Sequence, residues 1–104
     1  MIEVVFTRKL PEMRLKASGH SGYAEKGQDI ICAGVSAIML TAAEGMLLLA
    51  DEGRATDVQI RLRDGASCVS GKVFFSGEAI MRAAAAALRK IAQGAPEHVS
   101  YREE

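Results

Sequence analysis

The sequence holds no tryptophan and only 5% aromatic residues, so whatever core it buries must be aliphatic. Neither sign of charge is in excess: thirteen Lys and Arg stand against thirteen Asp and Glu. A domain that lives on phosphate contacts carries a basic surplus, so the balance argues against nucleic acid as a direct partner. It argues more weakly against an anionic membrane surface. Cysteine is scarce as well. Cys32 and Cys68 are too few for a disulfide scaffold, and both are expected to be free thiols in a reducing compartment. Residues 1–5 show no basic leader and no cleavage site, so the expected location is cytoplasmic.

What is present is enough for a core. Of the 104 residues, 49% are hydrophobic, and a chain this long is expected to form one domain over residues 1–104. Residues 2–7 read as a strand and residues 8–12 as a turn. Met13, Leu15 and Ala17 then alternate with Arg14, Lys16 and Ser18, the period of a strand with one wet face. Periodicity breaks over residues 19–28, where Gly19, Gly22 and Gly27 permit positive φ. A loop of that length between two regular elements is often functional, and this one holds His20 and Tyr23.

Asp29 is a good helix N-cap, and residues 30–50 are almost wholly apolar. By hydropathy the stretch is long enough to span a bilayer. Glu44 lies inside it, however, acids flank both ends, and no Trp or Tyr marks its limits. The expectation is a helix buried on most sides, against a sheet, a second helix or another subunit, with no membrane partner. Val58, Ile60 and Leu62 alternate with charged and polar residues, Asp64-Gly65 is a hairpin turn, and residues 67–75 return as the partner strand. Ser76 is the expected next N-cap, with Glu78 complementing the helix dipole. Ile80, Met81, Ala84, Leu88 and Ile91 form an apolar stripe; Gly94 and Pro96 stop the helix, and residues 98–102 close the chain as a strand. The order is ββαββαβ. The expected fold is α+β, an antiparallel or mixed sheet packed against two helices in two layers.

Cys32 falls third in a helix capped by Asp29. There its sulfur lies near unpaired N–H groups and the positive end of the macrodipole, a field that favours thiolate over thiol. A small apolar residue in a helix rich in Ala and Ile is the plain alternative. His20 opens the loop that must return to the start of that helix, and an imidazole there can take the thiol proton and later give it to a leaving amine. The same helix start offers N–H groups to a developing oxyanion. Asp29, three residues before Cys32, and Ser36, four after, share its helix face; Asp29 can orient His20 or simply cap. Cys68 lies beside Ser67 and Ser70 with no adjacent base, and reads as a structural thiol. No close-spaced Cys or His pair supports a metal site, and no cofactor is expected.

Residues 19–24, Gly-His-Ser-Gly-Tyr-Ala, followed by residues 27–36, Gly-Gln-Asp-Ile-Ile-Cys-Ala-Gly-Val-Ser, resemble the signature of the ribosomal-processing cysteine proteases. The resemblance covers essentially the whole chain. It implies an intracellular endopeptidase that removes a short N-terminal extension from ribosomal protein twenty-seven of the large subunit, cutting after an aromatic residue, and it implies a homodimer. Carried over by position, Cys32 is the nucleophile and His20 the general base, with Asp29 and Ser36 in supporting roles. Gly19, Gly22, Tyr23 and Gly27 then belong to a substrate loop that opens and closes. Ser21 stands where alanine is common after the histidine. Two other readings compete: a non-catalytic ribosome-associated or assembly module in which Cys32 packs, and a redox sensor pairing Cys32 with Cys68.

Overall fold

A computed structural model describes residues 1–25 and 27–104. Its elements run β1 (Ile2–Lys9), β2 (Glu12–Gly19), α1 (Ile30–Asp51), β3 (Ala55–Arg63), β4 (Ala66–Val73), α2 (Glu78–Gly94) and β5 (Val99–Glu103). The five strands form one sheet in the order β3-β4-β2-β1-β5. Three pairings are antiparallel, and β5 joins β1 in parallel, so the sheet is mixed.

Strict alternation sorts the strands into two faces. Val4 pairs with Ala17, Phe6 with Leu15, and Leu15 in turn with Val69, so one transverse band of the sheet is continuous aliphatic surface. Met39, Met46 and Leu49 of α1 and Met81 and Leu88 of α2 cover that band, and all are buried. Truncating Leu15 or Leu88 to alanine at the centre of this layer is expected to cost about 2–5 kcal/mol. The helices meet closely at Gly45, where any Cβ would collide with Ile80 Cγ2. The other face of the sheet is bare, and Arg14, Lys16, Cys68 and Arg61 lie on it.

α1 packs against the sheet on one side and against α2 on another. Its outer side exposes Leu40, Leu47 and Leu48. The helix is therefore less enclosed than its composition predicts. By length and composition it could cross a membrane, yet a third of its apolar window is buried inside the protein.

One boundary departs from the sequence reading. β4 ends at Val73, and Phe75 and Ser76 take left-handed backbone angles, with φ of 52° and 65°. This turn delays the helix, so α2 begins at Glu78 with Gly77 at the cap position and no side-chain cap bond. Ser76 does not cap α2. Glu78 still sits in the first turn, where it holds Arg8 at 2.5 Å and Arg82 at 3.6 Å.

Candidate active site

The site forms where β2, the loop over residues 20–29 and the start of α1 converge. Asp29 caps α1 as its sequence position predicts: Oδ1 accepts the N–H groups of Ile31 at 3.0 Å and Cys32 at 2.9 Å. Its second oxygen accepts the hydroxyl of Ser21. The Ser21 hydroxyl, followed by the Cys32 N–H, holds the Asp29 carboxyl down to about 2, against an ordinary 3.8. The oxyanion donors expected at this helix start are therefore largely taken. Ile31 and Cys32 both spend their N–H groups on the cap, and Ala33 donates to the Asp29 carbonyl at 3.1 Å.

Ser21 is the hub of the site. It is only 3% exposed, the one buried polar residue among the described residues. Its backbone N–H donates to Cys32 Sγ at 3.4 Å, and its hydroxyl accepts from Tyr23 N–H at 3.1 Å while donating to Asp29. Its carbonyl meets His98 Nδ1 at 2.8 Å. In the sequence Ser21 stands out only as a minor change from alanine. The capping geometry is the available clue, because a serine eight residues before an N-cap aspartate can close the loop between them.

Cys32 and His20 line one narrow cleft of about 40 Å³, together with Ser36, Val35, Met39, Asp64 and Gly65. The fold thus brings Cys32, His20 and Ser36 together. His20 is well exposed, and its ring stands over the tip of the β3–β4 hairpin, with Nδ1 3.9 Å from Asp64 Oδ1. That is too long for a hydrogen bond. Asp64 in the hairpin turn thus sets a carboxylate beside His20, while Asp29 faces Ser21 and the helix. Asp29 caps the helix with one oxygen and holds Ser21 with the other.

The loop glycines Gly19, Gly22 and Gly27 all hold positive φ, at 96°, 69° and 92°. Tyr23 is half exposed and sets its ring edge-on to His98, with centroids 5.5 Å apart. Larger hollows of about 420 and 530 Å³ lie over α2 and β5 and on the bare sheet face, and neither shares a lining residue with the cleft. Side-chain chemistry, not volume, marks this site. Cys68 sits on the opposite face of the sheet from its neighbour Val69, paired across strands with Lys16 and Arg61.

A thiol, an imidazole and a carboxylate around one cleft, with a second carboxylate capping the helix that carries the thiol, constitute the equipment of a thiol hydrolase. The sequence model of the family described as cysteine protease Prp matches residues 1–100, and the chain belongs to that family. A segment of 38 residues is 40% identical to the ribosomal processing cysteine protease Prp of Bacillus subtilis (strain 168), covering 36% of this chain and 34% of that protein. The match thus spans about a third of that relative's length. The fold is similar to the crystal structure of the ribosomal processing protease Prp from S. aureus with a covalently linked product peptide. That likeness has a TM-score of 0.75 at 19% identity and covers 100% of both chains. It is also similar to SMU.848 from Streptococcus mutans, with a TM-score of 0.70 at 24% identity over 99% of this chain and 93% of that one.

Proposed function

We propose that this protein is a cysteine endopeptidase that trims a short N-terminal extension from ribosomal protein twenty-seven of the large subunit. Cys32 is the nucleophile and His20 the general base. The observation that carries the proposal is that Cys32, third in α1, and His20, first after β2, line the same cleft. The family match over residues 1–100 supports it independently.

In the proposed reaction His20 takes the proton of the Cys32 thiol as Sγ attacks the scissile carbonyl carbon. The tetrahedral intermediate collapses as the carbon–nitrogen bond breaks, and His20 gives its proton to the departing amine. A thioester joins the N-terminal fragment to Cys32. Water then attacks that thioester as His20 takes one of its protons. The carbon–sulfur bond breaks, His20 returns the proton to the departing sulfur, and the new carboxylic acid loses its own proton to solvent. Before the sulfur attacks, the Ser21 N–H donates to it at 3.4 Å and so helps to aim it. A cleft of about 40 Å³ cannot hold a peptide segment, so the glycine loop must lift to admit one and close before chemistry. The S. aureus protease carries a product peptide covalently linked, and the thioester proposed here is a covalent adduct of the same general kind.

The same reading places the protein in the cytoplasm as a homodimer. The exposed Leu40, Leu47 and Leu48 on the outer side of α1 supply an apolar surface for a second copy. Incubation with a peptide spanning the extension, read by mass spectrometry, tests the activity. Cleavage at one bond by the wild type and none by Cys32→Ala is the expected outcome.

A further inference from the structure

One titratable side chain at the site has no part in the proposed reaction. His98 lies 77 residues along the chain from Ser21, yet its Nδ1 meets the Ser21 carbonyl at 2.8 Å. A carbonyl oxygen only accepts, so Nδ1 carries the proton and donates. The backbone of His98 is itself pinned to the framework. Its N–H donates to the Ala95 carbonyl at 2.9 Å, and its own carbonyl accepts Ile2 N–H, also at 2.9 Å, at the head of β1. The ring is thus a peg fixed to the sheet, and the Tyr23 ring packs edge-on against it at 5.5 Å.

Residues 22–25, 27 and 28 are all exposed. Two side chains fasten the start of this loop to the framework: Asp29, at the helix cap, and His98, in the turn just before β5. Both grip Ser21, and Ser21 is the residue whose N–H points at Cys32 Sγ. A backbone donor aimed at a reacting atom must be held to within a fraction of an ångström, and a residue fixed from two rigid elements achieves that.

We propose that His98 is a positioning residue for the Cys32 thiol, acting through the Ser21 carbonyl to hold the Ser21 N–H on the sulfur. The inference rests on the reading of Cys32 as nucleophile. It assigns His98 no contact with substrate and no proton transfer. What it requires is a donor at one place, the position one bond beyond Cγ. Asparagine offers an N–H at that place, whereas glutamine carries its amide one carbon further out.

The test compares His98→Ala, His98→Asn and His98→Gln in the full chain. Two readouts are taken: cleavage of the extension peptide and the rate at which iodoacetamide alkylates Cys32. For Ala and Gln, kcat falls about tenfold, the worth of one misplaced hydrogen bond, while KM changes by less than about twofold. Alkylation slows in parallel. Asn restores both readouts to near the wild-type values, and its thermal midpoint matches that of Gln. Equal behaviour of Asn and Gln would overturn the proposal by showing that ring packing, not the donor, matters. Wild-type rates in all three variants would overturn it as well. If the alanine variant does not fold, the Asn and Gln pair decides. If the wild type cleaves no peptide, the functional reading fails, and the alkylation series still decides whether His98 positions the thiol.

Discussion

The imidazole of His20 stands directly over Gly65: a Cβ at position 65 would fall 2.8 Å from His20 Nε2 and 3.2 Å from Cε1. Gly65 also holds φ at 74°, in the left-handed region that the second residue of its turn requires. The tip of the β3–β4 hairpin is thus the seat of the histidine. Gly65→Ala is expected to displace the ring and cut kcat/KM by about tenfold or more, with a stability loss of about 1 kcal/mol. Gly53→Ala is the control. Its φ is also 74°, but a Cβ there meets nothing within 4 Å. It should lose similar stability and keep full activity. Peptide cleavage and thermal unfolding on the same samples separate the two effects.

Removing the reacting groups has a larger consequence. Cys32→Ala is expected to abolish cleavage, and His20→Ala to lower kcat by about 10²–10⁴-fold, the usual range for a general base. His20 is well exposed and Cys32 borders the core, so both variants should fold. Ser36→Ala, which changes one wall of the cleft, should weaken cleavage without eliminating it. Full activity of His20→Ala would remove the histidine from the mechanism.

The two thiols should differ under a neutral reagent. Cys32 shares a cleft with the His20 imidazole and takes the Ser21 N–H on its sulfur, whereas Cys68 lies across from Lys16 and Arg61 with no imidazole in its pairing. Peptide mapping should find Cys32 modified much faster. Equal, slow labelling would favour a non-catalytic module in which Cys32 only packs. A redox pair is disfavoured by topology, because Cys68 faces the bare side of the sheet while Cys32 packs against the core on the helix side. Cys68→Ser should retain activity, and mild peroxide should give no intramolecular disulfide.

Asp29 makes the site sensitive to acid. Its folded carboxyl sits at about 2, below the ordinary 3.8, because Ser21 and the Cys32 N–H favour the ionised form. A depressed acid stabilises the fold wherever it is ionised. That contribution is complete above about pH 4 and is lost as the pH falls toward 2. Thermal midpoints measured from pH 5 to pH 2 should fall for the wild type. Asp29→Ala should start lower and depend less on pH over the same window, and it should weaken cleavage.

Much of this fold was legible because it is local. The alternation of Met13, Leu15 and Ala17, the Asp64-Gly65 turn and the Asp29 cap each depend on residues close in sequence, and each appears where expected. That Cys32 and His20 line one cleft was legible for the same reason, since a ten-residue loop has few places to go. What escaped was held by distant partners. His98 reaches Ser21 across 77 residues, and Asp64 and Gly65 arrive beneath His20 only through the β2–β4 register, which no spacing reveals. Ser76 failed as a cap because Phe75 and Ser76 turn left-handed, a backbone choice unusual for those residues. Balanced charge hid the distribution, which leaves Arg14, Lys16 and Arg61 together on the bare sheet face.

The most direct measurement is the intact mass of the host's own ribosomal protein twenty-seven after incubation with this protein and, separately, with Cys32→Ala. The proposed mechanism requires that the wild type alone shortens it by one N-terminal fragment. An unchanged mass with the wild type, or the same cut made by Cys32→Ala, would contradict it.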